Sequence, residues 1–278
     1  MKNFFYPALC LTVIITSCAK EKSFEGDGTG GVNFTDTLIS KIETSGLENS
    51  VAEFSYDDKN KLIRQNTTIK SIVGNAINSY NITRDASGRV SRSVRDISGG
   101  GYAAQTHVTD FYYIGASDTK VKYGKRSFEL SGVAILDSIL FTYTNNKVTK
   151  TYHYYSFDSG HTYLDYLYTT YAYDGKGNII GTVSYQDAGN GFEAVQTLEF
   201  EYDDKVNPGN FKDDALIETP ISSFLSPNNP LKRSFSSPLD PSSNYSVTIA
   251  YDYRSDGKPI KSTAVYLGAN FSSIYTYK

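Results

Sequence analysis

The sequence predicts an all-β fold: a long antiparallel meander of hairpin repeats, each about 30 residues, curled into a large sheet or half-barrel. Two observations predict it. Apolar and aromatic residues alternate with period two, as in Tyr163, Asp165, Leu167, Thr169, Tyr171 and Tyr173 on one face and Leu164, Tyr166 and Tyr168 on the other. A turn motif also returns at near-constant intervals. The composition agrees: 24 tyrosines stand against a single methionine and no tryptophan, and tyrosine favours strands whose faces are partly wet.

The N-terminus reads differently. Met1 to Ser17 carries one cation, Lys2, then an apolar run from Phe4 to Ile15, and ends in small residues before Cys18. This is the pattern of a signal peptide. The run contains Pro7 and is too short to span a hydrocarbon layer, which takes about 20 apolar residues. Residues 1–17 are therefore expected to be removed. The following stretch, residues 18–35, is rich in glycine and charge and predicts a flexible spacer.

From residue 36 to 278 the chain is read as one β domain. Tyr56–Leu62 (YDDKNKL), Arg84–Val90 (RDASGRV) and Tyr173–Ile179 (YDGKGNI) share one pattern: an aromatic or long residue, Asp, two turn residues, Gly or Asn, a polar residue and an aliphatic. Tyr143–Val148 is a shorter version and Tyr253–Ile260 a longer one. The anchors fall at 56, 84, 113, 143, 173 and 202, in steps of 28, 29, 30, 30 and 29 residues. Asp caps such a turn through its side chain, Gly or Asn accepts positive φ, and β-formers resume at once. Each period holds a second, Gly-rich break, for example Ser98–Gly101, Gly132 and Asp187–Gly191. Two turns per period make two strands, with Tyr-Asp turns along one edge and Gly turns along the other.

Residues 215–243 interrupt the pattern with Pro220, Pro227, Pro230, Pro238 and Pro241 and are read as a loop insertion. A short helical turn is expected at Asp214–Glu218, and a last hairpin from Tyr245 to Tyr277 closes the sheet.

Two resemblances add to this reading. Ile15-Thr16-Ser17-Cys18 resembles the bacterial lipobox, which implies that Cys18 is acylated and anchors the mature chain to a membrane. Lys20-Glu21 resembles in part the surface-export signals of Bacteroidota lipoproteins, with Lys22 departing from that pattern. The Tyr-Asp units resemble the YD repeats of RHS-type proteins. Tyr202–Lys205, Asn207-Pro208 and Ser226–Asn229 resemble a group of Bacteroidota lipoproteins of unknown function. Together these imply a lipid-anchored outer-membrane protein, at the cell surface or on the periplasmic face. The repeats are too few for the large shell of a true RHS protein.

Function is constrained mostly by exclusion. Cys10 lies in the discarded segment and Cys18 is the lipid site, so the mature chain forms no disulfide or cysteine metal cluster. Without Lys2, 26 cations face 30 acids, a net charge of −4 with no basic block for nucleic acid. Gly26-x-Gly28-x-x-Gly31 matches a dinucleotide fingerprint, but it sits in the spacer and not between strand and helix. The acid pairs Asp57-Asp58, Asp203-Asp204 and Asp213-Asp214 read as turn caps. His107, His153 and His161 read as strand residues, with His153 placed opposite Tyr166, several residues from His161. No nucleophile elbow or zinc-protease motif occurs.

The expectation is a non-catalytic binding or scaffold protein without a cofactor, its ligand a glycan or an envelope protein. The candidate contact residues are Tyr102, His161 and Tyr163 on the Gly-turn edge. The alternatives are a hydrolase of unknown substrate and an outer-membrane β-barrel, the latter suggested by the Tyr-rich strands and the terminal Tyr275-Thr276-Tyr277. Asp36-Thr37-Leu38 and Asp137-Ser138-Ile139 also resemble O-glycosylation acceptors of exported Bacteroidota proteins.

Overall fold

In a computed structural model, residues 37–46, 49–71, 74–130, 132–157, 162–211 and 225–278 are described. The signal peptide, Cys18, the spacer, His161 and the expected turn at Asp214–Glu218 lie outside them.

Alternating sequence becomes sixteen strands. The first eight are β1 (Ile39–Ser45), β2 (Asn49–Tyr56), β3 (Leu62–Ser71), β4 (Gly74–Arg84), β5 (Val90–Gly99), β6 (Tyr102–Tyr113), β7 (Val121–Leu130) and β8 (Val133–Thr144). The second eight are β9 (Lys147–Ser156), β10 (Leu164–Tyr173), β11 (Ile179–Asp187), β12 (Phe192–Val206), β13 (Asn228–Ser236), β14 (Tyr245–Tyr253), β15 (Pro259–Tyr266) and β16 (Ala269–Tyr277). Each pairs antiparallel with its sequence neighbours, and β1 pairs with β16. The expected large sheet or half-barrel is thus corrected to a closed barrel. Closure removes both sheet edges, whose unpaired backbone groups would otherwise invite another chain.

Two further expectations change. The Pro-rich stretch is not all loop, because β13 lies within it. Pro230 is tolerated there since it sits opposite Tyr202 at a break in register on both sides, where no ladder donor is required. The last hairpin is three strands, β14 to β16, with a second turn whose Leu267 and Gly268 both have positive φ.

The Tyr-Asp motif explains the wall. In the first turn, Asp57 Oδ1 accepts the backbone N–H groups of Lys59 and Lys61, and Asn60 takes a φ of 61°. Asp85 and Asp174 do the same for their turns. The residue after each aliphatic is then an extra one in the ladder: Tyr56 pairs Leu62 while Ser55 pairs Arg64, leaving Ile63 as a bulge. Equivalent breaks follow Val90, Val121, Val148, Ile179 and Pro259. The bulge turns Leu62 inward and Arg64 outward although they share parity in the sequence.

Each anchor also closes its own hairpin. The Tyr56 hydroxyl donates to the Ile39 carbonyl, Tyr113 to Val90, Tyr143 to Val121, Tyr173 to Val148, Tyr202 to Ile179 and Tyr277 to Pro259, all at 2.7–2.9 Å. In the second repeat Arg84 replaces tyrosine, and its Nη2 donates to the Leu62 carbonyl at 2.9 Å. In the hairpin after the Pro-rich stretch, Tyr253 donates to the Asp203 carboxylate instead. These staples satisfy backbone carbonyls at the bulged strand ends.

The interior is filled. Inward-facing Phe54, Ile82, Phe111, Ile139, Phe141, Tyr171, Leu198, Phe200, Val247 and Ala264 are all buried. Inward hydroxyls pair among themselves, as Thr44 with Ser273 at 2.6 Å and Thr169 with Ser184 at 2.9 Å. The segment after β12 crosses the Tyr-Asp end and sets Phe211 against Phe54 on the far wall, ring centroids 5.6 Å apart, while Leu225 joins the same core. A 16-stranded porin instead keeps an aqueous channel.

Candidate functional site: a lumen ionic cluster and an outer aromatic face

Strand register brings two unusual groups of side chains together, one inside the wall and one outside.

Inside, adjacent strands β5 to β9 point Arg95, His107, Arg126, Asp137 and His153 into the lumen. Arg95 is opposite His107, Arg126 is opposite Asp137, and Asp137 is opposite Tyr155. Asp137 Oδ2 accepts from Arg126 Nη2 at 2.5 Å and lies 3.0 Å from His153 Nδ1, with its side chain fully buried. Burial opposes ionisation of Asp137, but the charge and hydrogen bonds of His153 and Arg126 outweigh it and hold the carboxyl below its ordinary range. His107 lies stacked on Phe128, ring centroids 4.7 Å apart. Burial, with Arg126 and Arg95 nearby, lowers its imidazole to about 4, so it is neutral at pH 7.

Asp137 beside His153 has the form of a catalytic base and its orienting acid. Both are cut off from solvent, at 1% and 4% exposure, and no described hydroxyl or thiol is hydrogen-bonded to His153 to act as nucleophile. Asp137 and Arg126 thus form a buried ion pair, with His153 on the same carboxylate oxygen. Among the described residues no three His, Cys, Asp or Glu side chains are grouped to hold a metal ion.

Outside, the wall over β6–β12 carries aromatic rings. Tyr112 stacks on Tyr123 at 4.5 Å and Tyr168 on Tyr185 at 4.6 Å, with Tyr152, Tyr154 and Phe192 alongside. Lys150 Nζ lies 3.7 Å from the Tyr168 ring centroid and 4.4 Å from that of Tyr152. Cation and ring attract through the ring's quadrupole.

The residues expected at the Gly-turn edge are spread along it. Tyr102 begins β6, and Tyr163, 42% exposed, precedes β10, four strands away. At about 4.8 Å per strand that is roughly 19 Å, so the two do not form one patch. His153 pairs with Leu167 and not Tyr166, because Tyr166 is an extra residue in a register break. Ser138 of the acceptor-like motif is half-buried on the outer wall, while Asp137 belongs to the lumen cluster.

The sequence did not single out Arg126, and it offered Asp137 only as part of an acceptor-like motif. The signal was present, since Asp137 alternates with Ile135 and Ile139 and so shares their buried face.

The fold thus defines a class: a closed, up-and-down antiparallel barrel of sixteen strands. No protein-family model matches the chain, and no curated protein matches it. Among solved structures it resembles a porin-like protein from Bacteroides uniformis ATCC 8492, with 12% identity and a TM-score of 0.52 over 88% of this chain and 100% of that one. A porin-like protein from Bacteroides vulgatus ATCC 8482 matches at 13% identity and a TM-score of 0.40, over 87% of this chain and 99% of that one. At such identity the first likeness shows a shared fold.

Proposed function

We propose that the chain is an outer-membrane-associated barrel, held by a lipid on Cys18, whose wall stands in water and whose role is binding or scaffolding without catalysis. One observation carries this reading: charged side chains and ion pairs stand at mid-height on the outer wall, where a lipid-embedded barrel is apolar. Mid-strand outward positions hold Glu53, Arg64, Glu199 and the ion pairs Arg92–Asp110 and Glu201–Lys232, while the inward face buries aromatic and aliphatic side chains together with hydroxyl pairs and the Arg126–Asp137 pair. A bilayer-spanning barrel needs an apolar outer band about 25 Å tall and a polar lumen, and each mid-plane cation facing lipid costs about 2–4 kcal/mol. The lipobox-like Ile15–Cys18 supplies an anchor that needs no such band.

The likeness to a porin-like protein favours a second reading, a bilayer-spanning outer-membrane barrel. Expressing the mature chain with Cys18→Ser tests the two. The first reading expects a folded barrel recovered in buffer without detergent. Recovery only in detergent, or in an alkali-resistant membrane fraction, would establish the second.

A further inference from the structure

The outer wall is uneven, and the unevenness is informative. Elsewhere on it three cations are matched by acids, Lys41 with Glu43 at 3.0 Å, Arg92 with Asp110 at 2.6 Å and Lys232 with Glu201 at 2.8 Å. Over β7–β11 the pattern changes. Among the described residues Lys125 and Lys150 contact tyrosine rings and make no ion pair; Asp110 opposite Lys125 is held by Arg92 through both its oxygens, and the mid-height positions on β8 to β11 are Tyr, Leu, Ser, Thr and Val.

The rings there do not suit sugar stacking or a peptide anchor. Tyr168 has Tyr185 against its ring at 4.6 Å and Lys150 over it at 3.7 Å, so its faces are occupied and its hydroxyl edge remains. The wall of a barrel is also convex, whereas small-ligand sites are concave. What remains is a broad surface of amphipathic tyrosines and aliphatics with unpaired ammonium groups, the composition that settles at a membrane–water interface.

We propose that this face lies flat on the anionic headgroup layer of the membrane, its lysines against lipid phosphates and its tyrosines at the headgroup boundary. The inference rests on the reading above that the barrel stands outside the bilayer. From Cys18 to Thr37 the chain can reach at most roughly 65 Å when extended, enough for an acyl anchor and this wall to meet one membrane.

The test is co-sedimentation of the mature Cys18→Ser chain with sucrose-loaded vesicles of phosphatidylcholine alone or mixed equally with phosphatidylglycerol. Binding is expected to the anionic vesicles only, and to fall away in high salt. Each surface lysine contributes about fivefold to such binding, so Lys125→Glu with Lys150→Glu should weaken it by at least about 30-fold. Lys41→Glu with Lys261→Glu, an equal charge change across the barrel, should leave it within about twofold. Lys125→Arg with Lys150→Arg should retain binding, which separates charge from packing, and near-ultraviolet circular dichroism checks folding.

Equal loss from both Glu pairs, or no binding to anionic vesicles, overturns the docking proposal while leaving the water-facing barrel intact. A dimer that forms without vesicles and is lost on the Lys125→Glu, Lys150→Glu change would reassign the face to a second copy of the chain. Salt-resistant insertion into both vesicle types would instead sink the water-facing reading itself.

Discussion

Asp137→Ala is the perturbation the lumen cluster makes most demanding. The Asp137 side chain is fully buried and that of Arg126 is 19% exposed, so removing the carboxylate leaves a guanidinium facing an apolar interior with its counter-charge gone. Breaking one partner of a buried pair costs about 3–5 kcal/mol, a large share of a domain's total stability of about 5–15 kcal/mol. Replacing the whole group, as Asp137→Leu, Arg126→Met and His153→Leu together, removes the desolvated charges as well and should return most of that loss. The pH dependence has a definite sign. Asp137 titrates below its ordinary value of 3.8 in the folded state, so its contribution is complete above that value and fades as acid protonates it. Urea unfolding read by tyrosine fluorescence, the chain having 24 tyrosines and no tryptophan, gives the numbers. A single mutant within about 1 kcal/mol of wild type at pH 7, against the about 3 kcal/mol minimum expected, would refute the argument.

Three further outcomes are expected. Tyr173→Phe removes the donor to the Val148 carbonyl and should cost about 1–3 kcal/mol, whereas Tyr112→Phe on the exposed outer wall should cost almost nothing by the same urea assay. Asn60, at a φ of 61°, should tolerate Gly but lose about 1–2 kcal/mol as Ala, measured as a fall in urea midpoint. His107 is lowered to about 4 from 6.5. The unfolded chain therefore binds the extra proton between those values, and stability should rise with pH across that window. In His107→Gln the slope should flatten, and an unchanged slope would show that another group is responsible.

Much of the architecture was legible because turns are local chemistry. Asp57, Asp85 and Asp174 cap their loops with their own side chains, and Asn60, Gly88 and Gly177 accept positive φ, so their spacing marked hairpin edges without any knowledge of the partner strands. Strand β13 was hidden because Pro230 forbids a ladder donor, and only pairing with β12 shows that none is needed there. The lumen cluster was hidden for a related reason. His107, Arg126, Asp137 and His153 lie on four different strands, and a one-residue bulge beside each turn shifts which parity faces inward.

The sequence by itself determined the hairpin period, the turn residues and the alternation, since each depends on contacts within a few residues. Only the tertiary structure decided that β1 meets β16, that the lumen is packed with Phe211 crossing it, and which tyrosines staple carbonyls and which line the outer wall. Closure joins residues more than 230 positions apart, as Ser40 and Thr276 are. It turns on the summed twist and stagger of all sixteen strands, a quantity no local window contains.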